Sequence, residues 1–333
     1  MPSRPAVSFS LRTGARCAAL TLSACLACQA GAVQGNAEAS PPPAEGTAPL
    51  QEVPITAPEP RYVAPTLRDR IGRIWAPVMI DGKGPFRLVL DTGASQSAVT
   101  ASVAQALGIP LDNSAPMELE GVTGMAAVPS IHIESLLVGD LLINSARLPI
   151  VPDALGGAEG VLGTQGMLDK RIYIDFRHDR ITITHSHMRR AGLGFITIPL
   201  EVTPQHLLTT DAHVGSIRVV AIIDTGSQES IANPALRAAL LHHRSRGKFV
   251  QAQITDTTDT VADGESTDVP TIRLGDIEIR GAHITFGDLK IFQSWNLADK
   301  PAILIGMDAL GLVDTLVIDY RRGELQIQMR GVG

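Results

Sequence analysis

The tripeptide Asp-Thr-Gly occurs twice in this chain of 333 residues, as Asp91-Thr92-Gly93 and as Asp224-Thr225-Gly226. One copy is expected by chance in roughly one chain in twenty of this length. Here each copy ends an apolar run, Leu88-Val89-Leu90 in the first and Ala221-Ile222-Ile223 in the second. Each is also followed downstream by an apolar-apolar-Gly element, Val161-Leu162-Gly163 and Leu304-Ile305-Gly306. A chain built this way must hold two similar acidic loops, each anchored by a buried strand.

The duplication extends beyond the triplets. Residues 172–183 and 316–327 both read as strand pairs around a charged turn, Ile174-Asp175-Phe176 answering to Ile318-Asp319-Tyr320. The interval from Asp91 to Gly163 is about ten residues shorter than that from Asp224 to Gly306, a difference that surface loops absorb at little entropic cost. Repetition at this scale means two lobes of one architecture. Short apolar alternations punctuated by Gly and Pro, with helical periodicity confined to brief stretches, point to an all-β protein.

Within the first lobe, strands are expected over 74–79 and 86–90, joined by the turn Asp81-Gly82-Lys83-Gly84. A helix is expected over 100–107, stopped by Gly108 and Pro110. A hairpin over 118–128 follows, with Gly121-Val122-Thr123-Gly124 at its tip, and alternating segments lie around residues 131–133 and 141–143. In the second lobe, residues 216–223 read as a strand pair leading into Asp224. Asn233 is an N-cap with Pro234 at the first helical position of a helix over 235–241. Residues 248–254 and 264–269 flank a polar stretch, and 271–274 and 277–279 form a hairpin around Gly275-Asp276. Residues 191–195 divide the lobes.

A net charge of −6 with interspersed signs supplies no basic stripe and argues against a nucleic-acid partner. The three cysteines, Cys17, Cys25 and Cys28, all lie near the start, so no disulfide can brace either lobe. Arg4, Arg12 and Arg16 precede a short apolar stretch from Cys17 to Ala24, the pattern of an export signal. Leu22-Ser23-Ala24-Cys25 resembles a bacterial lipobox, which would make Cys25 the lipidated first residue; cleavage near Ala30 or Ala32 is the alternative. The apolar stretch falls well short of the roughly 20 residues of a membrane-spanning helix. Residues 25–66, rich in Pro, Ala, Gly and Glu, cannot bury enough apolar surface to fold and would act as a tether.

These motifs resemble those of aspartic proteases, in particular bacterial retropepsin-like enzymes, here with two lobes fused as in pepsin. The resemblance covers residues 70 to 330. It implies two homologous acid-protease (retropepsin/pepsin-like) β-barrel lobes with an interlobe active-site cleft, over 67–192 and 193–333, behind a signal peptide over 1–24. It makes Asp91 and Asp224 the catalytic carboxylates of one intramolecular dyad in a monomer, acting as an endopeptidase on polypeptide substrates without cofactor or metal. Thr92, Gly93, Thr225, Gly226 and Ser227 would support the dyad, with each threonine hydroxyl bonding to the opposite lobe's backbone. Gly121, Val122, Thr123 and Gly124 sit where the family keeps its flap, although the tyrosine of pepsin-type flaps is missing.

Two carboxylates about 3 Å apart cannot both ionise, so the pair would hold one proton and titrate as a unit. The ionised member takes a proton from a water while the other polarises the scissile carbonyl. Ser227, with Ala94 as its counterpart, suggests a hydroxyl bond to the Asp224 carboxylate and hence Asp224 as the ionised member. The chain would be exported to the periplasm and held at a membrane through Cys25. The rival reading is a catalytically silent peptide-binding lipoprotein on the same fold, and a further one builds dyads between chains. His185 and His187, His242 and His243, Trp75 and Trp295 read as surface or packing residues.

Overall fold

The computed structural model describes residues 8–11, 64–65, 72–111, 115–242, 248–255 and 261–329. Cys25, His243, the tip of the hairpin over 248–269 and nearly all of the expected signal and tether lie outside them.

The first lobe opens with the hairpin Trp75–Ile80 and Lys83–Leu90, whose turn residues Asp81 and Gly82 both have positive φ, at 49° and 71°. That turn matches the right-handed twist of the strands it joins. The apolar residues of the second strand face the core and carry the chain to Asp91. The helix Ala101–Leu107 follows and ends at Gly108, whose φ of 79° only glycine adopts without strain. The second lobe repeats the plan with Leu208–Val214 and Ile217–Ile223. Residues 216–223 are thus a single strand and not the expected pair. The partner is 208–214, whose run of Thr, Asp and His residues disguised its buried alternation. The helix Pro234–His242 is capped as expected, the Leu236 N–H donating to Asn233 Oδ1 at 3.0 Å.

Six strands of the first lobe close into a barrel in the order Gly160–Leu162, Lys83–Leu90, Trp75–Ile80, Ser130–Val138, Leu141–Val151 and Ala98–Thr100. The second lobe follows the same order with Ala302–Ile305, Ile217–Ile223, Leu208–Val214, Ile272–Leu274, Ile277–Arg280 and, beyond a break, His283–Phe286 and Ile231–Ala232. The single strand Leu141–Val151 therefore corresponds to two shorter ones. Both versions bend at the same place: Ser145 has φ 48° in the first lobe, and Gly281 has φ 69° in the second. The bend skips one pair of the ladder at Ser145 without shifting its register, and at Gly281 it divides the strand in two. The backbone of Ser8–Leu11 pairs antiparallel with Ile277–Arg280.

The closing strand pairs do not stay within their own lobes. Lys170–Asp175 of the first lobe pairs antiparallel with Thr315–Asp319 of the second, Ile172 opposite Ile318, in a six-stranded sheet shared by both. Phe195–Pro199 pairs with the last strand, Glu324–Gln328, on one side of this sheet, and Arg180–His185 extends it on the other. Arg171 crosses the seam to the fully buried Asp319 at 3.0 Å and to Gln326 at 2.8 Å. One apolar cluster runs through the whole, including Leu88 and Leu162, Ile172 and Ile318, and Ile223 and Ile303. No helix among the described residues is long and apolar enough to cross a membrane.

Candidate active site

Each catalytic-type loop is hung on the strand beside it. The Asp91 N–H donates to Leu162 O at 3.0 Å, and the Asp224 N–H to Ile305 O at 3.1 Å. The apolar-apolar-Gly elements thus run parallel to the aspartate strands and hold their ends. Gly163 N–H donates to Ser97 Oγ and Gly306 N–H to Ser230 Oγ, both at 3.1 Å. Sequence reasoning missed both serines, although each stands at the same distance after its aspartate. Behind Ser230, the Asp308 carboxylate accepts from the Ser230 hydroxyl at 2.7 Å and from its N–H at 3.1 Å.

The two loops grip one another. Thr92 Oγ1 donates to Ile223 O and Thr225 Oγ1 to Leu90 O, each at 2.7 Å. In return the Thr225 N–H donates to Thr92 Oγ1 at 3.1 Å and the Thr92 N–H to Thr225 Oγ1 at 3.3 Å. All four bonds are buried.

The grip brings each glycine against the opposite aspartate. A Cβ on Gly93 would stand 2.6 Å from Asp224 Oδ2, and one on Gly226 would stand 2.1 Å from Asp91 Cγ. Only glycine lets the carboxylates approach this closely. Asp91 Oδ1 accepts from the N–H groups of Gly93 and Ala94 at 2.8 and 3.0 Å, and Asp224 Oδ1 from those of Gly226 and Ser227 at 2.8 and 3.2 Å. The outer oxygens are left to each other and to whatever enters the cleft.

Burial pushes both carboxyls above their ordinary range. Asp224 rises further because the charge on Asp91 and their mutual hydrogen bond oppose its ionisation, whereas that bond and the Arg73 guanidinium lower Asp91. The sequence led to the expectation that Asp224 is the ionised member. The Ser227 hydroxyl on which it rested turns away to Glu229 O at 2.8 Å. Only the Ser227 backbone reaches the carboxylate, and the Ala94 backbone does the same for Asp91.

The hairpin Met117–Glu120 and Met125–Val128 closes through Gly121 N–H to Gly124 O at 2.7 Å. Leu119 packs on a first-lobe cluster of Trp75, Val89 and Val161, and Val122 on a second-lobe cluster of Ile222, Ile291 and Phe292. Val89 and Ile222 each stand two residues before an aspartate, so the hairpin bridges both lobes beside the dyad. Its tip is tied down: Ile291 N–H donates to Val122 O at 3.3 Å, and the Ser294 hydroxyl bonds to the Glu120 carboxylate. Both partners belong to the short helix Lys290–Ser294.

A family model for gag-polyprotein aspartyl protease matches residues 76–168, and one for aspartyl protease matches residues 210–309. Two aspartyl protease domains stand in tandem in this chain. Each spans one Asp-Thr-Gly loop and its apolar-Gly support, consistent with a two-lobe retropepsin-like protease. No curated protein matches the chain.

The remaining candidates have structural surroundings. His185 lies between Asp140 and Asp169, at 3.3 and 3.4 Å, acidic partners that are distant in sequence. Among the described residues no group of three or more His, Cys, Asp or Glu is arranged to hold a metal ion. Trp75 is buried beneath the Arg87 guanidinium at 5.1 Å, and Trp295 packs edge-on against Phe292.

Proposed function

We propose that this protease is an endopeptidase whose two lobes share one intramolecular dyad, Asp91 and Asp224. The observation that carries the reading is the reciprocal seating of Gly93 on Asp224 and Gly226 on Asp91, which leaves no room for anything but two adjoining carboxylates. In this reading the Asp91 carboxylate takes a proton from a water lying between the two acids. That water attacks the scissile carbonyl while the Asp224 proton moves towards the carbonyl oxygen. Asp91 then gives the proton it took from water to the leaving nitrogen while a hydroxyl of the tetrahedral gem-diol returns its proton to Asp224, and the peptide bond breaks. The hairpin over 117–128 acts as the flap, excluding bulk water from the bridged site. A peptide-binding role alone would require neither the two aspartates nor the glycines that crowd them together.

The test is cleavage of a proteome-derived peptide library by the purified chain. Asp91→Asn and Asp224→Asn should each lower kcat/KM by roughly 10³-fold or more with the fold intact. Either variant retaining most of the activity would rule out a shared dyad.

We also propose export and lipidation at Cys25, with residues 25–66 as the tether, supported by the basic start and by Leu22-Ser23-Ala24-Cys25. Mass spectrometry of the mature N-terminus tests this. An unmodified terminus near Gly31 or Val33 would make the enzyme a soluble one.

A further inference from the structure

The near-symmetry of the two lobes makes each departure from it informative. Trp75 lies opposite Val89 and Thr209 opposite Ile222, so the residue two before each marks an equivalent place: Arg73 in the first lobe and Leu207 in the second. The strands Lys170–Asp175 and Thr315–Asp319 are likewise equivalent, so Phe176 in the first lobe answers to Tyr320 in the second. At both places one lobe has an apolar side chain and the other a polar one.

Both polar members act on the same aspartate. Arg73 is 8% exposed, and Ile74 beside it accepts from Leu90 N–H at 2.9 Å, at the end of the strand that delivers Asp91. Its charge lowers Asp91, and the equivalent place beside the Asp224 strand holds the uncharged Leu207. Tyr320 is 5% exposed, and its backbone N–H is tied across the seam to Lys170 O at 3.1 Å. Its hydroxyl has no hydrogen-bond partner among the described residues. Burial and the nearby Asp91 charge raise this phenol, so it stays protonated and presents only a donor to the acid beside it.

We propose that Arg73 and Tyr320 are positioning residues that break the symmetry of the dyad, making Asp91 the resident carboxylate and Asp224 the resident acid. The proposal rests on the shared-dyad reading and adds a fixed division of labour to it. The single negative charge of the pair can sit on either aspartate. The groups that face Asp91 are Asp224 from the opposite loop, the N–H groups of Gly93 and Ala94 from its own, Arg73 from the entering strand and Tyr320 from the shared sheet. The backbone donors have equivalents at Asp224, and Arg73 and Tyr320 do not. A buried cation in low-dielectric surroundings favours the charge nearer to it. Water activation would then always begin from the Asp91 carboxylate.

The experiment combines carboxyl-carbon NMR titration of aspartate-labelled protein with pH profiles of kcat/KM on a cleavable peptide. Between the two macroscopic steps of the pair, the resonance that Asp91→Asn removes should be the ionised one. Finding instead that the ionised resonance belongs to Asp224 would overturn the proposal, whether or not the chain cleaves peptides. Absence of cleavage with a normal paired titration would count against the peptidase reading alone. Arg73→Met should move the acidic limb upward by about one pH unit, Tyr320→Phe in the same direction by less, and Arg73→Lys hardly at all. Activity lowered equally at every pH, with the limb unmoved, would make Arg73 merely structural. If Arg73→Met does not fold, an unmoved limb in Tyr320→Phe or a displaced one in Arg73→Lys overturns the proposal.

Discussion

At the scale of single residues, the site depends on what is missing as much as on what is present. Gly93 and Gly226 each leave open the volume that the opposite aspartate fills, and Gly226 has the tighter fit. Gly226→Ala should therefore displace Asp91 and lower kcat/KM by at least about 10²-fold, the scale of loss for a misplacement near 1 Å. Retained activity in that variant, measured beside a normal melting profile, would show that the carboxylates need not touch. The dyad, its threonines and its glycines were legible in the sequence because the chemistry requires these residue types in a fixed tripeptide. Arg73 and Tyr320 were not. A lone arginine ahead of a strand and a tyrosine after one have no signature until the lobes are superposed. Ser227 misled for the opposite reason, since its hydroxyl has a local backbone acceptor in Glu229 that position alone does not reveal.

Among the elements, the hairpin over 117–128 forms where its sequence reading put it. Its tip was placed from spacing, and the turn at Gly121 to Gly124 forms there. Its partner, the helix Lys290–Ser294, was invisible: it has five residues and no side-chain cap, too little for periodicity to register. Yet this helix receives Val122 and holds Glu120 through Ser294. Val122→Ser should forfeit about 1 kcal/mol of apolar contact, opening the hairpin roughly fivefold more often. Hydrogen exchange at the Gly121 amide would read this directly, as faster exchange confined to the hairpin. Unchanged protection there would mean that the apolar seat contributes nothing to closure. The bend at Ser145 was hidden as well, because a serine at positive φ looks ordinary in a strand of alternating residues.

Over the whole molecule, duplication was plain from the sequence, but the pooling of the two closing strand pairs into one sheet was not. Each pair reads as a self-contained hairpin, and only the register Ile172 to Ile318 shows that their free edges meet. The sheet and the threonine grip hold the dyad in place against its own electrostatics. Asp224 binds its proton more tightly when folded than an ordinary carboxyl does. Its contribution therefore favours the folded state below the unfolded carboxylate range and is lost as pH climbs through the raised folded value. Asp175 and Glu324, held below their ordinary values by His178 and Arg322, favour the folded state in the opposite direction, losing their contribution as pH falls. The difference between wild type and Asp224→Asn isolates the dyad. By chemical denaturation, Asp224→Asn should be the more stable at neutral pH, and this advantage should shrink as pH falls through the ordinary carboxylate range. An advantage independent of pH would mean that the dyad proton does not govern stability.

Between the shared sheet's strand Arg180–His185 and the strand Phe195–Pro199, the connecting segment is tied to the sheet at Met188 O by the Arg322 guanidinium at 2.8 Å and then leaves Arg189, Arg190 and Leu193 exposed. It is the only covalent link between two halves that already interlock through strand pairing, the Arg171 bridge and the threonine bonds. Continuity of the chain is thus expected to matter for assembling the two halves and not for keeping them assembled. A trypsin cut at Arg189 or Arg190 should yield two fragments on a denaturing gel that elute as one particle and retain activity in native buffer. Once separated by denaturant, the halves would have to find each other as strangers, and recovery of activity would become second order in concentration.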